Sequence, residues 1–119
     1  MIRRAIIAMV GMLWLPAVAS AHAMLDSASP IVGSTVHAAP AAISLRFSES
    51  VEPALCAISL SRGDGTAVAL AVPIGTEHNT VLSTAIRGTM APGLYRVHWR
   101  VVSVDTHVTQ GDFNFRIAP

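Results

Sequence analysis

At 119 residues the chain has room for one domain, and its charge is near balance, with eight Lys plus Arg against seven Asp plus Glu. That balance excludes a nucleic-acid surface or a polybasic membrane patch as the basis of function. A lone cysteine, Cys56, excludes an intrachain disulfide framework, so a packed core must supply the stability.

The first segment reads as a targeting signal. Arg3 and Arg4 precede an apolar run from Ala5 to Leu15, Pro16 ends it, and Ala17-Val18-Ala19-Ser20-Ala21 follows with small residues. This order of basic, apolar and small residues predicts a secretory signal peptide over residues 1–21, with an apolar run too short for a permanent membrane anchor. Ala19-Ser20-Ala21 is an A-x-A cleavage site that leaves His22 as the first mature residue. Ala21-His22-Ala23 is a second such site, and cleavage there would discard that histidine. Cleavage after Ala21 is expected, because it leaves helix-breaking Pro16 at a usual distance from the cut. Residues 22–119 then form the single domain, with six arginines, no lysine and seven acids.

The mature sequence reads as β throughout. Ile43, Leu45 and Phe47 alternate with Ser44, Arg46 and Ser48, the period-2 pattern of a strand with one buried face. Cys56, Ile58 and Leu60 alternate with Ala57, Ser59 and Ser61 in the same way, which places Cys56 on the buried face as a small core hydrophobe. Arg62-Gly63-Asp64-Gly65-Thr66 is a turn. Ala67 to Val72 and Thr80 to Ile86 are further strands, separated by Pro73, Gly75 and Asn79, and Ala91-Pro92-Gly93 marks another turn. Tyr95, Val97, Trp99 and Val101 share one face of the clearest strand, with Arg96, His98 and Arg100 on the other. After a short polar segment, Phe113, Phe115 and Ile117 form the inward row of the last strand. About seven short strands at this spacing predict an all-β, Ig-like Greek-key sandwich or barrel.

Two features at opposite ends of the mature chain carry metal chemistry. A free His22 offers its α-amine and its imidazole Nδ1 to one ion as a chelate, and an α-amine gives up its proton near pH 8, far more easily than a lysine. Asp105-Thr106-His107 places a carboxylate and an imidazole at i and i+2, on one side of an extended segment. An amine, two imidazoles and a carboxylate suit Cu(II) above other first-row divalent ions, whereas Zn(II) prefers a tetrahedron. His37 and His78 lie in polar loops and His98 on an outward strand face, so all three read as surface residues. Glu49 and Glu52 follow a strand end; they read as solvated charges, with a supporting role beside the metal as the other reading.

The stretch Gly93-Leu94-Tyr95-Arg96-Val97-His98-Trp99-Arg100-Val101-Val102-Ser103-Val104-Asp105-Thr106-His107, continuing to Gly111 and Phe113-Asn114-Phe115, resembles the C-terminal signature of the CopC/PcoC family of periplasmic copper-binding proteins. His22-Ala23 with Ser29-Pro30 and Gly33-Ser34 resembles its N-terminal signature, and Leu45-Arg46-Phe47-Ser48-Glu49 with Val51-Glu52-Pro53 its middle one. The resemblance implies a seven-stranded Greek-key fold and a periplasmic location. It also implies one Cu(II) held by His22, Asp105 and His107, and copper tolerance or supply beside an inner-membrane partner of the CopD type. Two departures stand out. Only Met24 and Met90 remain in the mature chain, so no methionine-rich Cu(I) site is expected. Thr106 stands where the family usually has glycine, and a β-branched residue would resist a positive φ at that position.

Two other functions compete with a monomeric, non-catalytic copper binder. A histidine-brace copper mono-oxygenase shares the N-terminal histidine and a second histidine on a β-sandwich. Against it, Asp105 favours Cu(II) over the Cu(I) that oxygen activation requires, and the few mature aromatics fall mostly on buried strand faces. A metal-free structural sandwich is the remaining alternative.

Overall fold

The structure, a computed structural model, describes residues 22–119 together with Gly11. The expected signal peptide therefore lies almost wholly outside the described residues. Nine strands run through the domain: β1 Leu25–Ser29, β2 Thr35–Val36, β3 Ala42–Phe47, β4 Ala57–Arg62, β5 Ala67–Val68, β6 Ile74–Thr76, β7 Val81–Ala85, β8 Gly93–Val102 and β9 Val108–Ile117. One 3-10 turn, Pro53–Leu55, interrupts them, and no α-helix occurs among the described residues.

The strands form two sheets, one in the order β1-β3-β7-β6 and the other β2-β9-β8-β4-β5. The chain crosses between sheets after β1, β2, β3, β5 and β7, so the two layers are built from interleaved segments and close over one core. Ile43, Leu45 and Phe47 of β3 face Tyr95, Val97, Trp99 and Val101 of β8 and Phe113, Phe115 and Ile117 of β9 across that core. Burying each such side chain contributes roughly 1.5–3 kcal/mol, which is how a domain without disulfides holds together. Tyr95 keeps its hydroxyl satisfied by donating to Ala91 O at 2.6 Å, the tyrosine-corner device of Greek-key sandwiches.

The alternating patterns of β3, β4, β8 and the end of β9 are where the sequence placed them, and β7 falls within the strand expected over Thr80 to Ile86. Three differences have physical causes. Leu25–Ser29 lacks clean alternation because its register against β3 shifts between Leu25 and Ser27, so the apolar residues change phase. Ala67 to Val72 is not one strand: Val68 pairs with Leu60 in one sheet, whereas Leu70 bridges Ile86 in the other. β9 begins at Val108, inside the segment that reads as polar. Its inward position Gly111 is filled from across the ladder by Trp99, whose Cζ2 would lie 2.7 Å from any Cβ added there. Cys56 is half-buried at the core margin rather than central, and its thiol donates to Glu52 O at 3.1 Å. Burial pushes that thiol pKa up, which keeps it protonated and unreactive.

Candidate metal centre

The inward row of β8 runs Tyr95, Val97, Trp99 and Val101, and Ser103, just past the strand end, continues its phase and is only 1% exposed. Beyond the last ladder pair, Val102 with Val108, the chain reverses through residues 103–107. Ser103 N–H donates to His107 O at 2.9 Å, and Thr106 N–H donates to Ser103 O at 2.9 Å. Closing so short a loop puts Thr106 at φ 72°, the left-handed conformation. A β-branched residue thus occupies the position where the sequence anticipated a demand for glycine.

This turn aims Asp105 and His107 to one side. Asp105 Oδ2 lies 3.0 Å from His107 Nδ1, with side chains 34% and 52% exposed respectively. Ser103 Oγ donates to the other carboxylate oxygen, Oδ1. The Ser103 hydroxyl, and after it the His107 N–H, hold the Asp105 carboxyl below the usual carboxylate range, outweighing its partial desolvation. The group is therefore an anion, ready to accept a proton donor or a cation, well into mild acid.

The other half of the centre arrives with the first residues of the domain. Ala23 is 1% exposed, and its carbonyl accepts a hydrogen bond from Thr109 Oγ1 of β9 at 2.7 Å. Met24 N–H donates to Ser48 Oγ at 2.9 Å, and Ser48 N–H returns a bond to Met24 O at 2.8 Å. The arm is pinned to both sheets at once. With Ala23 turned inward, His22 lies against His107, ring centroids 4.6 Å apart and planes at 75°. The loop is braced from behind as well: Val51 bridges Ser103, and Val104 N–H donates to Ser50 O at 3.2 Å.

The three residues singled out in the sequence therefore meet at one end of the sandwich, His22 on His107 and His107 on Asp105. Among the described residues no three His, Cys, Asp or Glu side chains are grouped closely enough to hold a metal ion as they stand. The other histidines lie apart from this group. His37 and His78 are exposed, and His98 Nδ1 pairs with Asp112 Oδ1 at 2.8 Å on the outer face of the β8–β9 ladder. Glu49 and Glu52 are exposed strand-end charges. Ser103, Thr109 and Ser48 escaped the sequence reading. For Ser103 a signal existed: it continues the inward phase of β8, where a hydroxyl is out of place among Val and Trp.

Residues 25–118 match the CopC domain family. Copper resistance protein C of Pseudomonas syringae pv. tomato is 36% identical over 114 residues, covering 90% of this chain and 88% of that protein. The crystal structure of CopC from Methylosinus trichosporium OB3b matches with a TM-score of 0.76 at 33% identity, over 82% of this chain and 95% of that one. Copper transport protein CutJ of Bacillus subtilis is 27% identical over 113 residues, which are 94% of this chain but 21% of CutJ. Sequence and fold agree across nearly the whole sandwich, and the chain belongs to the CopC family of copper resistance and transport proteins.

Proposed function

We propose that the exported chain, beginning at His22, binds one Cu(II) and serves the periplasm as a monomeric, non-catalytic copper carrier or buffer. The ligands are the α-amine and imidazole of His22, the imidazole of His107 and the carboxylate of Asp105. The observation that carries this reading is the contact of His22 with His107, two residues from opposite ends of the domain held 4.6 Å apart by a pinned arm. Nitrogen and carboxylate donors in one exposed cluster favour Cu(II) over Cu(I), so the ion is held without a redox cycle. Every metal-bound form needs deprotonated donors, so affinity falls as the amine and imidazoles take up protons.

Exposure of Asp105 and His107 leaves the ion accessible to a recipient, as a carrier requires. A copper-transporting membrane protein of the CopD type is the proposed recipient, a pairing supported by the match between this chain and one fifth of a longer copper transport protein. Titration of the exported protein with Cu(II) against a chromophoric competitor tests the assignment. One equivalent of tightly bound copper is expected, with nitrogen couplings in its EPR spectrum. His107→Ala is expected to weaken binding roughly a hundred-fold, about 2.8 kcal/mol. Weak, nonstoichiometric uptake by the unaltered protein would leave the metal-free structural sandwich in its place.

A further inference from the structure

We propose that Met24 is an oxidation site: its thioether takes the oxygen atom of a peroxide ahead of every other sulfur in residues 22–119, and the arm that carries it stays in place afterwards. Three sulfurs lie in that span, those of Met24, Cys56 and Met90. Met24 is 59% exposed. Met90 is half-buried and packs against the core. Cys56 is half-buried too, and its thiol donates to Glu52 O at 3.1 Å. Burial pushes that thiol pKa up, so little of it is the thiolate that reacts with a peroxide. A thioether has no proton to lose, so access to its lone pairs decides its reactivity. Only Met24 offers that access.

The backbone around Met24 explains why the arm withstands the change. Met24 N–H donates to Ser48 Oγ at 2.9 Å, and Met24 O accepts from Ser48 N–H at 2.8 Å. One residue earlier, Ala23 O accepts from Thr109 Oγ1 at 2.7 Å. The arm makes all three bonds with its main chain and none with the thioether. In the reaction the O–O bond of the peroxide breaks and an S–O bond forms. Sulfur gives up two electrons, and the peroxide leaves as water or, if organic, as an alcohol. The product is a polar sulfoxide on a side chain already in water, whereas the same change in a core methionine would disrupt packing. Met24 thus serves as a sacrificial sulfur two residues from His22. That the centre keeps its affinity while the sulfur is spent rests on the copper reading above; the reactivity itself needs no metal.

An equimolar dose of hydrogen peroxide, given to the metal-free protein beginning at His22, tests the proposal. Trypsin, cutting after arginine, separates the three sulfurs onto the peptides His22–Arg46, Phe47–Arg62 and Gly88–Arg96, and mass spectrometry reads which gains an oxygen. His22–Arg46 is expected to gain it roughly ten-fold faster, or more, than either of the others. Met24→Leu keeps the size of the side chain and removes the sulfur. It is expected to melt as the unaltered protein does and to leave most of the peroxide unconsumed over the same time. The oxidised protein is expected to keep its melting temperature and the amide NMR signal of Thr109. Comparable oxidation of Gly88–Arg96 or Phe47–Arg62 overturns the proposal, and so does a lowered melting temperature or a displaced Thr109 signal after oxidation. Cu(II) affinity, measured by competition before and after oxidation, is expected to agree within about two-fold, and a larger loss overturns the proposal. A protein that binds no copper even before oxidation overturns the copper reading instead, while the peptide and melting comparisons still decide the role of Met24.

Discussion

Thr106 holds φ 72° in the turn that carries both Asp105 and His107, a conformation costing a side-chain-bearing residue about 1–2 kcal/mol. Glycine avoids that cost but loses more freedom on folding. Thr106→Gly is therefore expected to stabilise the protein by a net 0.5–1 kcal/mol or so in a denaturant titration, with Cu(II) affinity retained. A second residue-scale effect lies on the outer face of the β8–β9 ladder. His98 and then Arg96 hold the Asp112 carboxyl below the usual carboxylate range. A pKa depressed in the folded state means that the stability it brings is present above the unfolded value of about 3.9 and disappears as pH falls through the folded one. Asp112→Asn is expected to reduce stability at pH 6 and to bring the two proteins together at pH 2. Equal stability at both values would show the ion cluster to be inert.

At the scale of the elements, the hairpin supplies the carboxylate and one imidazole, and the arm supplies the other. Ala23 of the arm is buried in the core, and the backbone on either side of its side chain is held by Thr109 and Ser48. Thr109→Val keeps the shape of β9 but leaves the Ala23 carbonyl without that donor. A stability loss of about 1–2 kcal/mol is expected by thermal melting, together with a roughly ten-fold loss of Cu(II) affinity as the arm is freed. A melting change without an affinity change would mean that the arm does not position His22. The strands themselves were legible wherever one face is uniformly apolar, as in Ile43–Leu45–Phe47 and Tyr95–Val97–Trp99–Val101. They were illegible where tertiary structure breaks the period: at the register shift of β1, at the change of sheet after Val68, and at Gly111, where Trp99 takes the place of a side chain. No local pattern encodes a neighbour that arrives from another strand.

At the scale of the whole molecule, the sandwich folds His22 against its last hairpin. That His22, Asp105 and His107 come near one another was anticipated because each is chemically conspicuous: a histidine after an expected cleavage site, and an acid and a histidine at strand spacing. Ser103, Thr109 and Ser48 were not, because serine and threonine in strands are ordinary and only the fold shows what their hydroxyls hold. The proposed His22 ligand would also depend on chain processing, since its α-amine is free only if the bond to Ala21 is cut. The most direct measurement compares Cu(II) affinity, by competition titration, between the protein beginning at His22 and the same protein with one glycine added before it. A terminal-amine ligand requires the extended protein to bind roughly a hundred-fold more weakly or worse, about 2.8 kcal/mol or more. Equal affinity in the two proteins would contradict it and remove His22 as the chelating end of the site.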